Sequence, residues 1–287
     1  MSPVSRGRKN GKKNQGRVAE QADTLVPSEE GIGPDHPAVR EMLDSAAATL
    51  GEFENVQDAV DGEYLAGSLL AVGYGTGPDT AEIFARLFIA EAEELASPGS
   101  VAFLRCVAAL TPEPTRSIAM EAADQLVAAG ITAPEWVNEL AEPVTAGDYF
   151  RWSEGKGVGS VLYGSFRRAG RSDGFLLFVD DEDCGAVNDL APFVGEEGLA
   201  EARRMTNEEE SAPEAPISPD EFRWQVEAAL GVREAHDREV IELGLDPSEP
   251  EEDDIPYAVT DVVLRARLRA LPMPAKPVPE HVHPNFA

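Results

Sequence analysis

Apolar residues recur every three to four positions through the first half of the chain and at shorter spacing after Asp148. DHPAVREMLDSAAATL, residues 35–50, predicts a helix capped by Asp35 or His36, with Pro37 in its first turn. A second helix is expected over 55–72, ending at the glycines of GYGTG. Asp79 followed by Glu82 reads as a capping box before IFARLFIAEAEEL. Ser97-Pro98 opens the next helix, through VAFLRCVAAL, and Thr111-Pro112 opens another that stops at Gly130. Within that last segment Ile118, Ala122 and Leu126 fall four apart, with Ala119, Ala123 and Val127 beside them, which makes one apolar face. APEWVNEL, after Thr132, adds a short helix. Helices joined by turns this short pack antiparallel, so residues 31–147 predict a helical stack, and no fixed period marks it as a solenoid.

The β signal follows. VGSVLYGSFRR (158–168) and GFLLFVD (174–180) are short, β-rich and separated by the turn mixture AGRSD. AVNDLAPFV supplies a third strand or an extended return, giving an antiparallel meander over 150–195. With the short helix GLAEARRM, this part spans 148–206, and the acidic, proline-containing stretch 207–217 reads as a linker. Ser218 with Glu221 forms another capping box, opening a helix that runs to Gly244. IPYAVTDVVLRARLRALP is the final helix of the 218–272 region, beyond a solvated acidic loop at 246–254. Residues 273–287 are proline-rich and extended, and residues 1–30 lack apolar periodicity and are expected to be disordered. The fold class expected is α+β: an N-terminal antiparallel α-helical stack, then a small antiparallel β-meander, then C-terminal helices.

Charge changes this picture more than composition does. The 287 residues carry 53 acids against 24 Lys plus Arg, a net −29. The basic residues are uneven: Arg6, Arg8, Lys9, Lys12, Lys13 and Arg17 stand in a 17-residue start that holds no acid. The acidic remainder repels nucleic acid and anionic membrane over its average surface, while the tail attracts both, and is attracted to its own body. No run of 18 apolar residues is present, so no membrane span is expected, and the basic start lacks the apolar stretch of a secretory signal. Two cysteines, Cys106 and Cys184, make no disulfide framework, and a reducing cytoplasm is the simplest expectation.

Candidate chemistry concentrates in GFLLFVDDEDCGAVNDL, residues 174–190. Asp180, Asp181 and Asp183, with Asp189 nearby, offer the oxygens a hard divalent cation wants. Read as a calcium loop from Asp180, the stretch puts Gly185 correctly at the sixth position. It has Glu182 third, Cys184 fifth and Ala191 twelfth, where a bidentate Glu is needed, so the match fails. The plainer reading is a hairpin turn whose like charges face water. Cys184 follows four acids, which opposes a reactive thiolate, and Cys106 reads as core. His236 has Glu239 three residues on but no matching second pair, and His281 with His283 could grip a metal only weakly from a tail. The glycine loop at 73–77 has Pro78 where a dinucleotide motif needs Gly, and no Gly-Lys-Ser/Thr follows. Gly-x-Ser-x-Gly is absent.

EAADQLVAAGITAPEWVNEL, GFLLFVDDEDCGAVNDL and DVVLRARLRALP, with the SRGRK-type start, resemble a group of uncharacterised proteins from high-GC Gram-positive bacteria, from about Thr111 to Pro272 plus the tail. That resemblance implies the layout above and a cytoplasmic address, and it transfers no functional residue. The expectation is an interaction protein, leaning non-enzymatic, with no cofactor and an unidentified protein partner. Two alternatives stand beside it. One is a metal-dependent hydrolase built on Asp180, Asp181, Asp183 and Asp189. The other is salt-sensitive, non-sequence-specific contact with nucleic acid or ribosome through residues 5–17, which have no aromatic residue to stack on bases.

Overall fold

The computed structural model describes residues 37–153, 158–182, 184–208, 214–245, 255–279 and 281. The basic start, Asp183, residues 209–213 and the acidic loop 246–254 lie outside the described residues, as do the proposed caps Asp35 and His36.

Five helices come first: α1 (Pro37–Glu52), α2 (Ala59–Leu70), α3 (Pro78–Leu95), α4 (Pro98–Leu110) and α5 (Thr115–Ala128). α4 is apolar on most sides, with Val101, Ala102, Phe103, Leu104, Cys106 and Val107 all buried, so it occupies the centre and α1, α2, α3 and α5 pack around it. Its start is held by a complete capping box: Ser97 Oγ accepts from the Ser100 amide, and Ser100 Oγ accepts from the Ser97 amide. Gly99 lies so close to α1 that a Cβ there would meet the Leu50 carbonyl oxygen at 2.0 Å.

The helix starts differ from expectation in three places. α2 begins after a 3-10 turn at Phe53–Asn55 and is capped by Asp58, whose carboxylate accepts from the amides of Val60 and Asp61. At α3 the cap is Gly77 (φ 89°) with Pro78 in the first position, so Asp79 sits in the first turn and not at the cap. Thr111 finishes α4, its hydroxyl donating to the Val107 carbonyl, and α5 begins only at Thr115. There Glu113 accepts from both the amide and the hydroxyl of Ser117. Residues 135–141 form a 3-10 stretch.

The sheet is antiparallel throughout, in the order β4-β3-β2-β1-β5. Its strands are β1 (Thr145–Ser153), β2 (Gly159–Arg168), β3 (Arg171–Asp180), β4 (Ala186–Val194) and β5 (Ala215–Pro216). The meander thus starts one strand earlier than the pattern suggested. β2 and β3 are joined by Ala169-Gly170 alone, both at positive φ, the pairing of a tight hairpin, so Arg171, Ser172 and Asp173 belong to the strand and not to the turn. The end of the expected linker is β5, paired with Phe150 and Arg151. α6 (Gly195–Glu208) covers one sheet face, where Trp152, Tyr163 and Leu176 meet Leu199 and Ala202. The opposite face, with Tyr149, Leu162, Phe166, Phe175 and Leu177, joins the core of the helical stack through α7 (Pro219–Glu242) and α8 (Tyr257–Arg269). Gly164 makes room for α7: a Cβ there would meet Phe222 Cζ at 2.3 Å. Among the described residues no helix is long and apolar enough to cross a membrane.

Candidate metal centre

The described acids singled out in the sequence sit at separate places around the β3–β4 turn. One carboxylate oxygen of Asp180 accepts from the Glu182 amide at 2.9 Å, which shapes the β3–β4 turn. Asp181 is exposed and lies 3.8 Å from Arg151. Asp189, also exposed, accepts from the neighbouring Leu190 amide. Asp183 lies outside the described residues. Among the described residues these carboxylates do not gather into a group able to share a cation.

Among the described residues, buried ionisable groups pair at several places, two of which tie the helices to the sheet. Arg267 of α8 donates to Asp173 at 2.7 Å and to both oxygens of Glu63, at 3.0 and 2.6 Å, and Arg168 donates to Glu63 at 2.8 Å. Glu63 and Arg267 are each 1% exposed. Burial raises the Glu63 pKa, but the two guanidiniums outweigh it and hold the carboxyl below its ordinary value. Asp173 has one of those partners, and there burial wins and the pKa is raised. The group joins α2, β2, β3 and α8. We read it as a structural joint, in which Arg168 Nε and Nη1 are buried without a hydrogen-bond partner among the described residues.

The second place is a relay at the side of α7. Tyr74 donates to Asp237 at 2.7 Å, and Asp237 accepts Arg233 Nε through both oxygens at 2.8 and 2.9 Å. Arg233 then donates to the Val187 carbonyl at 3.2 Å, and its guanidinium lies 5.0 Å from the ring centroid of Tyr257. This chain of contacts ties α7 to the first residues of β4, and so fixes the β3–β4 turn against the helix.

Beside that joint stand Cys184 on the turn, His236 on α7 and His281 on the C-terminal segment. One ligand atom of each lies within 4.8 Å of the other two, and all three residues are half-buried. The Nε2 atoms of the two histidines are 3.2 Å apart, with the rings at 74°. Two imidazoles bound at about 2.0–2.1 Å to one tetrahedral ion have nitrogens about 3.3–3.4 Å apart, so this separation is the one a shared metal requires. A thiolate in the same shell stands about 3.5–3.6 Å from each nitrogen, within about 1.3 Å of the present spacing. The direct hydrogen bond between the two rings is the contact such a metal would replace. Cys184 also adopts φ 59°, a left-handed conformation that favours glycine, and Gly185 follows at φ 79°. The Gly185 amide donates to the Asp180 carbonyl at 2.9 Å, which holds the turn closed and presents the thiol toward α7.

A thiol with two imidazoles is a borderline-soft donor set. It suits Zn²⁺, with Co²⁺ as its spectroscopic stand-in, and does not suit Ca²⁺ or Mg²⁺. Sequence reasoning met each of these three residues and dismissed each singly, because the signal is in their convergence. They lie 52 and 45 positions apart, and no ligand spacing rule covers that. A concavity of about 500 Å³ along α5, bordered by Glu113, Arg116, Met120 and Asp124, shares no residue with this group.

The class defined is thus an α+β protein with a half-buried Cys-His-His group at one end of its sheet. Comparison with protein-family models, with curated proteins and with solved structures finds no match.

Proposed function

We propose that this is a non-enzymatic, metal-binding interaction protein of the cytoplasm, with Cys184, His236 and His281 as ligands of a Zn²⁺-like ion. The observation that carries the reading is one thiol and two imidazoles, from three separate segments, within 4.8 Å of one another. A binding role is favoured over a hydrolytic one because the nearest buried acid on the helix, Asp237, is already committed to Tyr74 and Arg233. It is therefore not available as a general base. Free cysteines fit a reducing compartment. The test is optical titration with Co²⁺, followed by Zn²⁺ competition. Thiolate–Co²⁺ charge-transfer absorption is expected in the wild type and is lost in both Cys184→Ser and His236→Ala. Absence of that absorption in the wild type, or its survival in both variants, would overturn the assignment.

A second reading keeps the basic start as a nucleic-acid contact. It is supported by how the body uses its own cations: Arg105, Arg151, Arg167, Arg171, Arg203 and Arg223 all lie within 4.0 Å of a carboxylate of the same chain. Phosphate contact, if it occurs, would then fall to Arg6, Arg8, Lys9, Lys12, Lys13 and Arg17. Deleting residues 5–17 is expected to abolish salt-sensitive binding to single- or double-stranded nucleic acid, and equal binding by the truncated protein would end this reading.

A further inference from the structure

Resting on the metal assignment above, we infer that the bound ion acts as a latch that closes the C-terminal segment along α7. After α8 the chain turns back at Leu271, whose carbonyl accepts Arg223 at 2.9 Å. From there residues 272–279 run along α7 with most of their surface exposed. They are held by few contacts. The Trp224 indole N–H donates to the Pro277 carbonyl at 2.9 Å, and the Lys276 ammonium lies 3.4 Å from the Trp224 ring centroid and 3.3 Å from Glu221. His281, farther along, meets His236 three helical turns beyond Trp224.

Exposed ion pairs and cation–π contacts of this kind contribute little each, so they do not by themselves hold the segment down. Its proline content keeps it extended and lowers the entropy lost on docking. A metal ligand changes the balance. Once His281 shares an ion with Cys184 and His236, every opening of the segment must break a coordination bond, and the ion binds the closed form more tightly than the open one. By linkage, metal at a hundred times its dissociation constant reduces the open population by up to about a hundredfold. The face of α7 around Glu221 and Trp224 then opens less often in the metal-loaded protein than in the metal-free one.

Trp224 is a built-in reporter, because the other two tryptophans, Trp136 and Trp152, are buried in the core. The experiment uses the full chain, Zn²⁺, and hydrogen exchange of the three indole N–H groups by NMR, with Trp224→Phe assigning the resonance. Metal binding is measured in the same samples by calorimetry. Saturating Zn²⁺ is expected to slow exchange of the Trp224 indole by up to about a hundredfold and to leave the other two unchanged. In His281→Ala, the Trp224 indole exchanges at the metal-free rate whether or not Zn²⁺ is added. If Zn²⁺ binds the wild type and Trp224 exchange does not respond, the latch is overturned and the metal assignment stands. If calorimetry shows no binding, both fall.

Discussion

The Arg267 network and the Cys184–His236–His281 group are both assembled from segments far apart in the chain, yet they are built on opposite principles. In the first, four ionisable side chains answer one another in the interior: Arg267 spans Asp173 and Glu63, and Arg168 pairs with Glu63. In the second, a thiol and two imidazoles face one another at half-buried positions, each with a ligand atom within 4.8 Å of the other two. Opposite charges that pair make a joint, whereas a thiol and two imidazoles together are a donor set of the kind a soft metal takes. Strong burial of ionisable residues, commonly taken to mark function, here marks the architecture. The Cys184, His236 and His281 group lies where burial is only partial.

The largest effect expected comes from breaking the closed network. Arg267→Met leaves Glu63 and Asp173 buried without their main cation, and a loss of about 3–5 kcal/mol in urea unfolding is expected. A smaller loss than that of an exposed pair, such as Arg86–Glu82, would show that the network is not the joint described here. Metal addition probes the other side of the comparison. Zn²⁺ at a hundred times its dissociation constant is expected to stabilise the wild type by about 2.7 kcal/mol, with no stabilisation of His236→Ala.

Alkaline pH separates the interior from the surface in another way. All five tyrosines, Tyr64, Tyr74, Tyr149, Tyr163 and Tyr257, have their phenol pKa raised, in each case first by burial. Groups whose folded pKa exceeds the unfolded one favour the folded state fully below the unfolded value, near pH 10, and lose that contribution as pH rises toward the folded values. Phenolate absorbance should therefore appear together with unfolding. Phenolate forming well before loss of circular dichroism would mean that the interior is less closed than drawn.

Smaller still is the backbone at the two turns. Cys184→Gly removes a left-handed non-glycine residue, so the metal-free protein is expected to gain up to about 1 kcal/mol while losing all response to Zn²⁺. Ala96→Gly, at the left-handed end of α3 (φ 48°), should bring a similar gain and keep the metal response, which sharpens the contrast between strain kept for a ligand and strain kept for a turn.

Much of the fold was legible because its determinants are local. Ser97-Pro98 announced α4, Ser218 announced α7, and the short β-rich runs SVLYGSF and GFLLF on either side of a turn mixture announced β2 and β3. The failures were local ambiguities resolved from outside. Thr111-Pro112 carries an N-cap signature, but the Thr111 hydroxyl turns back to the preceding helix. β1 was missed because TAGDYFRWS has only a short apolar pattern and gains its partners from β2 and β5. The candidate site was legible only as scattered parts: an acidic hairpin, a helical histidine and a histidine in a proline-rich tail. The acids of the hairpin drew the attention, and the thiol beside them is what meets the imidazoles.

The sequence alone determined the helical stack, the antiparallel hairpins and a surplus of acid over base, because capping, periodicity and charge act over a few residues. Only the tertiary structure decided which ionisable groups are locked together and which are left facing one another. Those choices depend on α2, α7 and α8 closing over the sheet, and contacts spanning as many as 204 positions leave no trace in any local pattern.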